Sequence, residues 1–187
     1  MRTIFTLAFM LFTVASFSQK VVIKEGKLNE LKGVEVVNLE FTFENTTVGK
    51  MTEEDYIARK KGDSENGERW ENAWHSDKTD KFEPGFIELF NKYSDNLKIR
   101  NDESAEYIMI VNTYFLEPGF NIGVKAKPSL ISTTISIVEK NNRDNKIVVI
   151  ETIKGKGMAV PDTGYRIRGA YAKTGKTLGK YFTKKIK

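Results

Sequence analysis

The sequence predicts an α+β sandwich, in which helices pack on a mixed four-stranded sheet. Three observations carry this. Apolar residues repeat at a period of 3.6 through most of residues 52–96, at a period of 2 through most of 105–153, and at 3.6 again from about 163 to the end. The 187-residue chain has 40% hydrophobic residues and no long run rich in Pro, Gly and Ser, as expected of one globular unit rather than linked pieces. It contains no cysteine, so its stability has to come from an apolar core.

The first 18 residues read as a signal peptide. Met1-Arg2 supplies a short positive start, Thr3 to Ala15 is almost wholly apolar, and Ser16-Phe17-Ser18 sets small residues at the cleavage positions, so cleavage is expected after Ser18. The apolar stretch falls short of the roughly 20 residues a membrane span needs. Residues 19–187 are then expected to form a single α/β domain, in the periplasm, at the outer membrane or in the medium. No cysteine follows the apolar stretch, so it is not a lipoprotein signal.

Val34 to Glu44 sets Leu39, Phe41 and Phe43 against Glu40, Thr42 and Glu44, the alternation of a strand with one buried face. Thr52, followed by Glu53-Glu54-Asp55, has the form of a helix start, with a capping hydroxyl and acidic side chains at the positive end of the dipole. That helix is expected to run to about Lys61. Gly62 to Gly67 is a polar break. Trp70 and Trp74 then share a helical face in a second helix to about Lys81, and Pro84-Gly85 is expected to interrupt it. Phe86, Leu89, Phe90 and Tyr93 mark a third helix that ends near Ser94-Asp95-Asn96.

Ala105 to Glu117 begins apolar on both faces, as a central strand does. Ser129 to Glu139 and Ile147 to Ile153 alternate on either side of the polar turn Asn141 to Asn145, which predicts an antiparallel hairpin. A hairpin standing as a separate small domain is the alternative. The first strand is separated from the second by some 60 residues of helix, so the two should pair in parallel through a helical crossover. From Thr163 to Lys187, Ile167, Ala170, Tyr171, Thr174, Leu178, Tyr181, Phe182 and Ile186 form one stripe of a final helix. The expected order is strand, helices, three strands, helix.

The segments FEPGFIELFNKY, YIMIVNTYFLEPGFNIGVKAKPSLISTTISIVE and GYRIRGAYAKTGKTLGKYFTKKIK resemble an uncharacterised family of exported Bacteroidetes proteins over nearly the whole mature chain. More remotely, the closing helix after a strand hairpin is similar to periplasmic α/β domains of envelope lipoproteins, the TolB amino-terminal-like and curli-secretion-channel folds. The closer resemblance implies no activity; the remote one implies an envelope role.

Composition removes several chemistries. Without cysteine there is no thiol nucleophile, iron–sulfur cluster or thiolate zinc site, and His75, the lone histidine, leaves little scope for a relay. No cofactor and no metal site are expected. The acidic residues Glu53, Glu54, Asp55, Asp63, Glu65, Glu68, Glu71, Asp77, Asp80 and Glu83 could supply a carboxylate pair for a hydrolase, but no spacing selects one.

Charge is strongly segregated. The net charge is +5, yet the last 25 residues carry eight positive charges and no acid; with Arg2 set aside, residues 19–162 carry a net −4. The candidate interaction surface is the basic face of the final helix, Arg166, Arg168, Lys173, Lys176, Lys180 and Lys184, which could meet an anionic membrane surface or glycan. The competing reading docks the apolar stripe on the sheet and leaves the lysines in water. Gly175 and Gly179 favour docking, because they permit close backbone approach at a cost in helix propensity. Two loops that flank strands, 118–123 and 160–164, make Phe120, Asn121 and Tyr165 candidate contacts. The expected function is a non-catalytic envelope component whose partner is another envelope protein or a second copy. The alternatives are a binding module for an anionic surface or glycan, and a carboxylate-based hydrolase. Nucleic acid is not expected as a partner of an exported chain without a recognised binding motif.

Overall fold

A computed structural model describes residues 19–63 and 65–186. The expected signal peptide over residues 1–18 lies outside the described residues, as do Ser64 and Lys187. The chain runs through β1 (Lys20–Gly26), a 3-10 turn (Leu28–Leu31), β2 (Val36–Thr42), β3 (Thr47–Val48), β4 (Met51–Thr52), α1 (Glu53–Gly62) and α2 (Gly67–Asp77). A π-helical turn (Lys78–Phe82) leads into α3 (Glu83–Tyr93), followed by β5 (Lys98–Ile99), β6 (Tyr107–Glu117), β7 (Phe120–Asn121), β8 (Ala126–Lys127), β9 (Leu130–Glu139), β10 (Asn142–Lys156) and α4 (Thr163–Lys185).

The main sheet has the order β1-β10-β9-β6-β2-β5, with β3 and β4 attached at the far end of β6. β2 pairs in parallel with β6, as the helical crossover requires, and β9 and β10 form the antiparallel hairpin within the same sheet. The expectation of four strands is corrected to a larger sheet. β1 escaped notice because Val21-Val22-Ile23 is a short unalternating run on an edge; β3, β4 and β5 have only two residues each, too few for any period to show.

Register explains the core. Met109 lies opposite Ile137, which lies opposite Val148; Val111, Ile135 and Ile150 form the next row, and Thr113, Thr133 and Thr152 the third. All nine are fully buried. The third row is polar but satisfied: Thr133 and Thr152 share a hydroxyl hydrogen bond of 2.8 Å, and Thr113 shares one of 2.6 Å with Tyr171 of α4. Helices α3 and α4 lie on this face, where Phe41 packs edge-on against Phe86 and Tyr171 stacks on Phe82 at 5.1 Å. On the other face Ile110, Asn112, Tyr114, Val149 and Glu151 are half-buried.

Thr52 caps α1, its hydroxyl accepting from the Asp55 amide at 3.1 Å. The break expected at Pro84-Gly85 does not occur. Pro84 is the second residue of α3, and the π-helical turn before it absorbs the change between α2 and α3 without leaving helical backbone. The final helix is docked. A Cβ on Gly175 would stand 2.3 Å from the Phe86 carbonyl oxygen, and one on Gly179 would stand 2.7 Å from that of Phe90, so α4 rests directly on the α3 backbone.

Candidate interaction surface

Four of the six basic residues expected to form one face do so: Lys173, Lys176, Lys180 and Lys184 follow one another at helical spacing along the outside of α4. Lys176 and Lys180 place their ammonium groups 4.7 and 5.1 Å from the centre of the Tyr93 ring, and Lys173 donates to the Gly157 carbonyl at 3.1 Å. Arg168 turns toward α3 and pairs with Glu88 at 2.7 Å.

Arg166 departs from the expectation altogether. It is 4% exposed, because the loops before and after the strands fold over it, so it belongs to the interior rather than to a basic surface. Its Nε donates to the Pro118 carbonyl at 2.7 Å, Nη1 to those of Val160 and Pro161 at 2.6 and 2.8 Å, and Nη2 to the Thr163 hydroxyl at 2.9 Å. Burial pulls the guanidinium below its ordinary pKa, opposed by the nearby Asp162 carboxylate. The fork geometry of arginine lets one side chain serve two loops that are about 40 residues apart.

Further ties fix the same two loops. Asn121 donates from Nδ2 to the Ala159 carbonyl at 2.5 Å, while its Oδ1 accepts from the Gly123 amide at 2.9 Å. The Gly157 amide donates to the Ser129 carbonyl, and the Ser129 hydroxyl donates to the Arg166 carbonyl at 2.6 Å. Gly157 has to be glycine here, since a Cβ would stand 2.1 Å from that Ser129 oxygen. Asp162 caps α4 by accepting from the Tyr165 amide at 2.8 Å. Lys81 reaches Asp77 at 2.7 Å and Asp162 at 3.8 Å, with its ammonium 4.9 Å from the centre of the Tyr165 ring.

The result is a rigid platform that holds apolar side chains in water. Phe120 is 43% exposed, Ile122 67%, Val124 90%, Met158 38% and Tyr165 52%, and these are the exposed large hydrophobic residues among the described residues. All five lie on the two tied loops and the first turn of α4. Scattered exposed apolar residues are ordinary, but five of them on loops tied to one another and to the start of α4 mark a candidate interaction site. The candidate loop residues Phe120, Asn121 and Tyr165 are thus found in one assembly, Asn121 as a tie and the other two as exposed rings. Ile122, Val124 and Met158 were missed: in sequence they are single apolar residues among turn formers, and no period separates an exposed tip from a tucked one.

The aromatic and acidic candidates have structural partners. Trp74 is buried, stacks on Trp70 at 5.3 Å and donates from its indole to Glu53 at 2.7 Å, while Tyr56 closes the cluster. Lys78 pairs with Glu53 at 2.9 Å, Lys61 with Glu71 at 2.8 Å and Lys81 with Asp77. Three of the acids open to a hydrolase reading are therefore engaged in fastening helices. His75 is exposed.

No protein-family model and no curated protein matches the chain. Among solved structures, the chain is similar to the PelC dodecamer from Paraburkholderia phytofirmans at 13% identity and a TM-score of 0.44, with 86% of this chain and 97% of that one covered. A variant of that dodecamer gives the same identity and coverage with a TM-score of 0.42.

Proposed function

We propose that the chain is an exported, non-catalytic cell-envelope protein that acts as an assembly or interaction component, and that its contact is made by the apolar platform of Phe120, Ile122, Val124, Met158 and Tyr165. The reading includes a signal peptide removed after Ser18 and a partner in the envelope or a second copy of the chain. The observation that carries it is the coincidence of buried fastening with exposed apolar surface: a largely buried arginine and an asparagine order two loops whose outward residues are hydrophobic. Ordering the loops in advance lowers the entropy lost on binding. The basic face of α4 is the less favoured contact, since Lys173, Lys176 and Arg168 are held by the protein's own groups.

Photo-crosslinking in cells tests this reading. A photoreactive amino acid at position 124 or 158 should give adducts with an envelope component, and the same group at position 184 should give few. Adducts from 184 with none from 124 or 158 would transfer the contact to the basic helix.

A further inference from the structure

The hairpin formed by β7 and β8 stands outside the main sheet, and its six residues from Ile122 to Lys127 are all exposed. Its tip is Ile122-Gly123-Val124, with Gly123 at φ +83°; Lys125 ends the turn and Lys127 lies in β8. Behind the tip an apolar groove continues along Pro128, Leu130 and Ile153, and lysines rim it: Lys127, Lys154 and Lys156.

The charge around this tip is of one sign. No acidic residue occurs from Pro118 to Val138 or from Thr152 to Pro161. Of the acids that border those stretches, Glu117 pairs with Lys127 at 3.1 Å and Glu151 with Lys24 at 3.3 Å, Asp162 caps the amino end of α4, and Glu139 accepts from the Asn145 side-chain amide at 2.7 Å. Lys125, Lys154 and Lys156 have no acidic partner among the described residues.

Resting on the reading that the apolar platform is the contact, we propose that its occupant is an anionic bilayer surface, with Ile122 and Val124 entering the acyl boundary and Lys125, Lys154 and Lys156 meeting lipid phosphates. An exposed apolar pair at a hairpin tip, Ile122 and Val124, with lysines beside it suits insertion between lipid headgroups. Apolar burial supplies the depth, and the unpaired lysines select anionic over neutral lipid.

The chain contains no cysteine, so Val124→Cys in the full chain creates a single site for an environment-sensitive fluorophore. With vesicles of phosphatidylcholine and phosphatidylglycerol in a roughly 7:3 ratio, the label at 124 should shift to the blue and be quenched by a spin label on the acyl chain, and raised salt should weaken the response. Vesicles of phosphatidylcholine alone should give little response, and a label at Lys184→Cys should give none with either. Adding Lys125→Glu and Lys156→Glu to the 124-labelled protein should lower the apparent affinity at least about tenfold. These positions are exposed, and far-UV circular dichroism checks that the variants fold. A label at 124 that stays in water on anionic vesicles, or responds equally to neutral ones, overturns the proposal. Crosslinks from 124 to an envelope protein with no vesicle response would leave the interaction reading standing and remove the lipid; neither crosslink nor response would remove both.

Discussion

Arg166→Met removes the guanidinium that ties the two loops and leaves the carbonyls of Pro118, Val160 and Pro161 without their donor. Hydrogen bonds from a charged group each contribute about 1.5–3 kcal/mol, but the losses do not add, because the loops can relax and admit water. A buried acceptor left unsatisfied costs about 1–3 kcal/mol, and with three carbonyls orphaned and partial relaxation the expected loss is about 3–5 kcal/mol. For a protein of this size it corresponds to a fall of roughly 6–20 °C in Tm. Urea unfolding of the variant against the parent measures it, and limited proteolysis within 118–128 reports loop order separately. Arg166→Lys, which keeps the charge but reaches fewer acceptors, should fall between. A loss below about 1 kcal/mol with unchanged proteolysis would refute the claim that Arg166 orders the platform.

The remaining predictions concern packing and pH. Gly175→Ala would stabilise a free surface helix by about 1 kcal/mol, but against the α3 backbone it should destabilise by at least about 1–2 kcal/mol, so the sign in urea unfolding decides whether α4 is docked. Tyr171→Phe deletes the hydroxyl that shares the buried hydrogen bond with Thr113 and should cost about 1–2 kcal/mol, measurable the same way. Glu83 is held above the ordinary carboxylate pKa by burial, so folding binds protons there: its unfavourable contribution is absent at low pH and grows as pH rises through the unfolded value toward the folded one. Glu83→Gln should therefore raise stability at neutral pH and have no such effect well below pH 4, as a pair of pH–stability profiles would reveal.

How much of this was legible depended on length and on distance along the chain. The strands β6, β9 and β10 and the helix α4 are long enough for periodicity to declare them, and the cap at Thr52 is a local signal. Gly175 and Gly179 pointed to close packing even though the neighbour could not be named. The π-helical turn left no trace, because Pro84 reads as a breaker and nothing in the sequence shows that the turn before it is π-helical. Arg166 was misplaced for a related reason. In a run of eight positive charges it looks like its neighbours, and only the return of the 118–128 loop, fixed by the sheet, covers it. Phe120, Asn121 and Tyr165 could be suspected from turn residues beside strands; Ile122, Val124 and Met158 acquire meaning only once the same loops are seen to be tied.

If the apolar platform is the contact, it is covered in the cell, and thiol protection measures that most directly. Single cysteines at 124, 158 and 184 can be reacted with a small maleimide, once in the purified protein and once in intact envelopes. Positions 124 and 158 should react fast in isolation and slowly in envelopes, while 184 reacts alike in both. Equal reactivity of all three in both settings, or protection confined to 184, would contradict the claim that the Arg166-tied end is where the protein meets its partner.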